Sequence, residues 1–320
     1  MKTLSQLTEA YYKTLYPTLQ ELDVQRKKLR YRIIVGGTII TILALLIIKS
    51  FEFVISNNPD ILAFIGFAYF MIITFSYRYM LRSYTVEFKQ KIIEPLINMF
   101  DENLYYNGDG HISKFLFERS RLFSKPDKFE GDDYVSGTID GVKFEFSDVV
   151  AKKRHINEDS HEEYTTIFKG LFIVAEFNKN FNGVTTVLPD SAQTLFGNLI
   201  GSWLQSNNMS RDELVKMDSN EFEKEFVVYS TNQIEARYIL SHTVMSKLLE
   251  LKKRSKHPVY ISFINNHIHL AIEYKKDLFE PSVFHSLLEY KIAMEYVQTL
   301  HLAIGIVEEL KLNQKLWSKR

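Results

Sequence analysis

The sequence predicts an α+β protein, in which an N-terminal two-helix transmembrane hairpin is followed by a mixed, largely antiparallel sheet domain with a long C-terminal helix. Three observations predict this fold. Two uncharged apolar runs lie in the first eighty residues, short strands with tight turns follow, and three-to-four-residue apolar spacing returns near the end. We expect four segments: a cytoplasmic amphipathic helix (1–32), the transmembrane hairpin (33–80), a helical connector (81–106) and a cytoplasmic α+β domain (107–320).

The hairpin prediction depends on two runs without a charged residue, Ile33 to Ile48 and Ile61 to Tyr77. Each run spans roughly 24–26 Å as a helix, and its flanks can complete the crossing of a hydrocarbon core of about 30 Å. A cleaved signal peptide would begin earlier and carry a small-residue cleavage site. A hairpin buried in a soluble protein would show a polar stripe, which neither run has.

The distribution of Lys and Arg predicts the orientation of this hairpin. Basic residues precede the first run and follow the second, whereas the intervening loop contains only Lys49. Because positive residues stay on the cytoplasmic side, we expect a multi-pass protein of the cell inner membrane with both termini in the cytoplasm. Neither run contains an ionisable residue of the kind that transporters need, so the hairpin is predicted to be an anchor.

Amphipathic helices are predicted on both sides of the hairpin. Apolar residues recur every three or four positions from Leu4 to Leu22 and again from Val86 to Phe100. Pro17 and Pro95 should kink or divide these helices, because proline removes a helical hydrogen bond and clashes with the preceding turn.

The remaining chain alternates strand and helix signals. Hairpins are predicted around Asp140-Gly141 and Asn265-Asn266, with a charged connector at 152–163 and a strand at 166–177. Further predictions are a helix at 195–204, a strand at 226–230, a helix at 239–254 and a long helix from about Pro281 to Leu310. Adjacent Asp132 and Asp133 are interpreted as turn residues. Strand pairs joined by short turns favour an antiparallel sheet.

Four stretches in this part carry a resemblance to a known family. They are GDDYVSGTIDGVKFEFSD (Gly131 to Asp148), FKGLFIVAEFNKNF (Phe168 to Phe181), VVYSTNQIEARYIL (Val227 to Leu240) and LFEP (Leu278 to Pro281). They resemble the bacterial family catalogued as domain of unknown function 3137. The resemblance implies a two-span bacterial membrane protein, often encoded beside LemA-type membrane proteins, and it supplies no catalytic residues.

Composition and motifs exclude several classes of function. The net charge is zero and cysteine is absent, so nothing favours a nucleic-acid partner, a thiolate zinc site or a cysteine nucleophile. Phosphate-binding, dinucleotide-binding and nucleophile-elbow motifs are also missing. His267 and His269 share a strand face, but we identify no third ligand and expect a half-exposed sheet face. We therefore expect neither a metal nor a cofactor, and catalytic residues stay unknown.

Glu235 and Arg237 are the candidate ligand-binding residues, because a charged pair stands there among apolar residues. Such a pair either makes a structural ion pair or lines a pocket. The leading hypothesis is a non-enzymatic, membrane-tethered scaffold that binds another membrane protein, of LemA type, or itself. The alternatives are a membrane-bound hydrolase with an unrecognised site, in which several of Glu235, Arg237, His267 and His269 converge in a deep pocket, and an accessory subunit of a transporter.

Overall fold

The computed structural model describes residues 4–51, 53, 58, 60–139, 141–156, 161–176, 181–190, 214–289 and 294–305. They fall into two compact units. The helical unit comprises Thr3–Leu96 and Phe279–Val297, and the sheet unit comprises Ile97–Leu278 and Gln298–Arg320. The predicted boundaries of the four segments stay a prediction.

Two long helical stretches dominate the helical unit. The helices are α1 (Leu4–Ala10), α2 (Tyr16–Ser50), α3 (Asp60–Phe88) and, continuing into the sheet unit, α4 (Glu94–Phe100). Both stretches are long and apolar enough to cross a membrane, and none of the residues in their most apolar 18-residue windows is buried. A core helix of a soluble protein would bury these residues, so their exposure favours association with a membrane.

Each predicted proline interruption takes the form of a π-helical turn. Tyr11–Leu15 precedes Pro17, and Lys89–Ile93 precedes Pro95. A proline ring collides with the carbonyl group four residues earlier, and the wider π turn relieves that collision while the helix continues. The apolar face keeps its direction through these turns, and its buried members in the helical unit include Leu7, Tyr11, Leu15, Leu19, Leu22, Phe88, Ile92 and Ile93.

A late segment of the chain belongs to the helical unit and packs there as an irregular strap, which we define as residues 279–289. Arg26 donates from Nη1 to the carbonyl oxygen of Val283 at 2.9 Å and from Nε to Asp23 at 2.7 Å. The Ser286 hydroxyl also donates to Asp23, at 2.8 Å. Burial alone would raise the pKa of Asp23, but these hydrogen bonds outweigh it and lower the pKa to about 2.

This strap corrects the predicted C-terminal helix. Residues 281–289 are not helical, whereas residues 294–305 (α9) are. Leu287 is buried as the spacing predicted, but Phe284, which the same spacing placed on the apolar face, is 52% exposed. The carbonyl oxygen of Val283 in this loop accepts from Arg26 of α2. The helix is therefore present with a later start than predicted, and its predicted end at Leu310 lies outside the described residues.

The sheet unit is built on nine strands in the part of the chain that the structure describes, with every described pairing antiparallel. Their order is β1-β2-β3-β4-β9-β8-β5-β7-β6. The strands are β1 (Tyr105–Asn107), β2 (Lys128–Ile139), β3 (Val142–Ile156), β4 (Glu162–Glu176), β5 (Val184–Pro189), β6 (Leu214–Val215), β7 (Phe226–Ser230), β8 (Val259–Ile264) and β9 (His267–Glu273). The α+β prediction is confirmed.

In the described part of the sheet unit, four helices lie among these strands: α5 (Lys114–Arg119), α6 (Asn220–Glu223), α7 (Gln233–Ile239) and α8 (His242–Ser255). Each begins after a Ser or Asn whose side chain accepts a hydrogen bond from a backbone amide of the first turn: Ser113, Ser219, Asn232 and Ser241. The helix predicted at 239–254 corresponds to α8, which begins at His242, because Ile239 is the last residue of α7 and Leu240 follows it. The helix predicted at 195–204 lies outside the described residues.

Two local predictions in β2–β4 were wrong. The charged connector is largely strand, because β3 continues to Ile156 and β4 starts at Glu162, with an ion pair of 2.8 Å between Arg154 and Glu162. Asp132 and Asp133 lie inside β2, at an irregularity where Asp133 has a φ of 56°. The sequence predicts a turn at these two aspartates, whereas the structure has a β-bulge there, inside a strand.

An aromatic cluster forms the core on one face of the sheet. Phe117 of α5 stacks on Phe123 at 5.4 Å between ring centroids and approaches Phe172 of β4 at 5.1 Å. Phe123 in turn lies 4.7 Å from Phe168 and 5.1 Å from Tyr260. Such offset and tilted ring pairs stabilise the sheet beyond the apolar area they bury.

Candidate functional site

Three basic residues without a hydrogen bond or ion pair among the described residues lie at one end of the apolar stretches. There α2 and α3 line an open groove of about 900 Å³, which we call the collar groove. Its basic residues are Lys28 and Arg32 on α2 and Arg82 on α3. Lys28 and Arg32 are four residues apart and so lie on one helical face.

The acidic residue of the collar groove is already engaged. Glu87 accepts hydrogen bonds from Gln25 at 3.0 Å and from Lys91 at 2.6 Å. The bond from Lys91 lowers the pKa of Glu87, so this carboxylate stays ionised. Because Gln25 belongs to α2 and Glu87 to α3, the same carboxylate joins the two helices beneath the groove.

Within the apolar part of the hairpin, the described contacts are sparse. The Tyr69 hydroxyl pairs with Thr41 at 2.9 Å, and Thr41 also donates to the carbonyl oxygen of Gly37. Nothing lies within 4 Å of a Cβ added at Gly36, Gly37 or Gly66. These glycines therefore do not serve close packing between α2 and α3.

The two candidate ligand-binding residues lie on α7 and have different environments. The Glu235 carboxylate accepts from the backbone amides of Asn182 at 3.0 Å and Gly183 at 2.7 Å. It thereby holds the chain that enters β5. Arg237 is exposed, and residues two apart on a helix do not face each other. The structure places Glu235 against backbone amides rather than against Arg237.

The exposed face of α7 is apolar and aromatic around Arg237. Ile234 is 83% exposed and Tyr238 is 53% exposed. They are four residues apart, so the two side chains are neighbours, with Arg237 beside them. Aromatic and Arg side chains are the types that dominate protein–protein binding energy.

His267 and His269 share a face of β9, as predicted, but they are more buried than expected. His269 is fully buried, its Nδ1 lies 3.3 Å from the Ser262 hydroxyl, and burial lowers its pKa to about 3. Burial also lowers the pKa of His267. Burial therefore favours the neutral form of both rings, and the expectation of a half-exposed face holds for His267 alone.

A polar groove of about 350 Å³ opens beside His267. Its charged members are Lys143, Glu145 and Glu176, and the Tyr134 hydroxyl donates to Glu145 at 2.9 Å. No hydrogen bond or ion pair among the described residues joins either histidine to Glu235 or Arg237. Of the four residues named for a hydrolase site, His267 alone lines this groove among the described residues.

Asp148 is a buried carboxyl group that sequence reasoning missed. It is 3% exposed, and its Oδ2 accepts from the backbone amide of Leu278 at 2.8 Å, while its Oδ1 has no partner among the described residues. Burial raises the pKa of Asp148 to about 7, and nearby Asp132 and Asp277 contribute in the same direction. The sequence does contain a signal for this burial, because Asp148 lies in a run of apolar β3 residues.

Comparison with known proteins finds a family model that matches part of the chain. A family model described as "Protein of unknown function (DUF3137)" matches residues 166–312, which confirms the resemblance. No curated protein matches the chain. The crystal structure of the mycobacterial trehalose monomycolate transport factor A, TtfA, is 12% identical over 62% of this chain and 86% of that one, with a TM-score of 0.32. A score of this size carries no argument about fold or function.

Proposed function

We propose that this protein, which carries a domain of the DUF3137 family, is a membrane-anchored interaction module. Its hairpin would cross the cell inner membrane, with both termini and the sheet unit in the cytoplasm. The module would bind a second membrane protein, of LemA type, or another copy of itself. It would act by holding its sheet unit at the membrane surface.

One observation carries this proposal: along each helical stretch of the hairpin, one part buries its apolar residues and the other part exposes them. The segments at 7–22 and 84–97 bury their apolar residues inside the protein, whereas the apolar windows beyond them bury none. The free energy of exposing that much apolar surface to water is large, at about 25 cal/mol for each Å². A lipid bilayer removes this cost, and the Lys and Arg residues around the helix ends set the orientation.

The contact with a protein partner is assigned to the exposed face of α7. Ile234, Arg237 and Tyr238 supply an apolar side chain, a guanidinium group and an aromatic ring on adjacent positions. Glu235 would support this face indirectly, because it fixes α7 to the backbone that enters β5.

The test combines membrane fractionation with cross-linking in cells. A photoreactive amino acid at Ile234 should capture one defined membrane protein or a second copy of the chain, identified by mass spectrometry. The same probe at exposed Lys253 of α8 is the matched control and should not capture that partner. A chain that stays in the supernatant after ultracentrifugation would contradict the anchor, and equal capture from both positions would contradict the assigned face.

A further inference from the structure

The collar groove has the composition of a site for a charged headgroup. Three cations line it, and neither Lys28, Arg32 nor Arg82 has a hydrogen bond or ion pair within the described parts of the chain. The single acidic residue at the groove, Glu87, is occupied by Gln25 and Lys91. Three unpaired cations lining one groove favour an anion there, since guanidinium groups bind phosphate through charge-assisted hydrogen bonds.

The walls of the collar groove are amphipathic. Leu29 and Met80 line it beside the basic residues, and Tyr79, which is 76% exposed, stands at its margin. Tyr84 also lines the groove, and its buried hydroxyl has no hydrogen-bond partner in the described chain. Apolar and aromatic side chains next to unpaired cations suit a ligand that has a charged head and an apolar tail.

The position of the collar groove selects the source of that anion. It lies where α2 and α3 leave their exposed apolar windows, at the depth of lipid headgroups if those windows lie in hydrocarbon. Basic pockets between helices at this depth bind the headgroups of anionic phospholipids. We propose that the collar groove binds the phosphate diester of one anionic phospholipid, with its acyl chains against the apolar part of the hairpin.

This proposal rests on the anchoring part of the proposed function and adds a specific lipid site to it. Arg32 and Arg82 would bind the phosphate from opposite helices, and Lys28 would supply further positive charge one helical turn from Arg32. A bound phospholipid would thus bridge α2 and α3 above the Gln25–Glu87 hydrogen bond. The consequence is a hairpin that is stabilised by anionic lipid.

The test measures the thermal unfolding of the full chain in a neutral detergent, with phosphatidylglycerol or phosphatidylcholine added. Phosphatidylglycerol should raise the apparent Tm of the wild type by roughly 2–4 °C more than phosphatidylcholine does. The double variant Arg32→Gln/Arg82→Gln should lose this difference. The control Arg30→Gln/Arg78→Gln removes the same charge from the same two helices outside the groove and should keep it.

Two results would overturn the proposal. Equal losses in both double variants would show general attraction to a basic surface, and an equal Tm rise with millimolar inorganic phosphate would show a site for free anions. Membrane fractionation of the groove variant separates this failure from that of the proposed function. A variant that pellets with membranes but has lost the lipid effect leaves the anchor intact, whereas a wild type that does not pellet removes both.

Discussion

At the scale of single residues, the Glu235 carboxylate is expected to matter for stability and the Arg237 guanidinium is not. Glu235→Ala removes the acceptor of two backbone amides, and we expect a loss of about 1–3 kcal/mol in the free energy of unfolding. Arg237→Ala, at an exposed neighbouring position, should change it by less than about 0.5 kcal/mol. Denaturant unfolding of both variants measures this. Comparable losses would indicate the ion pair that the sequence first suggested.

A second residue-scale prediction concerns pH and Asp148. Its pKa is about 7 in the folded protein against 3.8 ordinarily, so between these values the folded state holds a proton that the unfolded state releases. Stability contributed by this protonated group is therefore lost as the pH rises through that window. From pH 5 to pH 8, Asp148→Asn should gain roughly 2 kcal/mol in stability relative to the wild type.

Unfolding at the two pH values, with exposed Asp218→Asn as the control, measures the effect. The Asp218 variant should follow the wild type at both pH values, because Asp218 is exposed and removing an exposed surface charge has little effect on stability. A pH-independent difference between wild type and the Asp148 variant would contradict the assigned burial of the charge.

The sequence predicted which residues were unusual better than it predicted what they contact. Glu235 stands out as a charge among apolar neighbours, yet its partners are the amides of Asn182 and Gly183, more than fifty positions earlier. Lys28, Arg32 and Arg82 indicated orientation alone, because a one-dimensional pattern cannot show that α2 and α3 bring them to one groove. Which residues come into contact depends on tertiary packing, and the local sequence around each residue does not show it.

At the scale of elements, the spacing of apolar residues predicted the strands and helices well. The errors arose where hydrogen bonds to the backbone, and not apolar spacing, determine whether a segment forms a regular element. The strand predicted at 226–230 is β7, and the hairpin predicted around Asn265-Asn266 is formed by β8 and β9. Short apolar runs with turn residues between them have few other solutions. The strap at 279–289 has helical apolar spacing but is irregular. In the strap, the carbonyl oxygen of Val283 accepts from Arg26, and the backbone amides of His285 and Leu288 donate to serine hydroxyls instead of making helical bonds. No spacing rule anticipates that.

The pairing of β4 with β9 depends on a glycine that no larger residue can replace. Gly170 has a φ of 144°, and a Cβ there would collide with the carbonyl oxygen of Ile272 and come within 2.7 Å of the Tyr274 amide. We expect Gly170→Ala to lower the free energy of unfolding by about 3 kcal/mol or more. Gly141→Ala is the matched control, because its φ is also positive but nothing lies within 4 Å.

The control should cost about 1 kcal/mol, the strain of the backbone alone. Equal losses in the two variants, measured by thermal or denaturant unfolding, would mean that the close approach of β9 to β4 at Gly170 is not what requires glycine there.

At the scale of the whole molecule, the exposed apolar windows and the basic residues around them together predict how the chain lies in a membrane. The windows require hydrocarbon, and the basic residues require an aqueous side that favours positive charge. Together they predict that a short loop between α2 and α3 reaches the opposite face of the membrane from the sheet unit. This prediction needs both features, because the apolar windows alone or the basic residues alone would fit more than one arrangement of the chain in the membrane.

The absence of native cysteine makes this placement directly measurable. Single cysteines at Ser50, after the first apolar run, and at exposed Lys253 of α8 add the chain's only thiols. In intact spheroplasts, a membrane-impermeant maleimide should label Ser50→Cys and should leave Lys253→Cys unlabelled until the membrane is permeabilised. Labelling of both sites before permeabilisation would indicate leaky or uninserted protein. The reverse pattern would invert the orientation that the Lys and Arg residues predict, and the sheet unit could then meet no cytoplasmic partner.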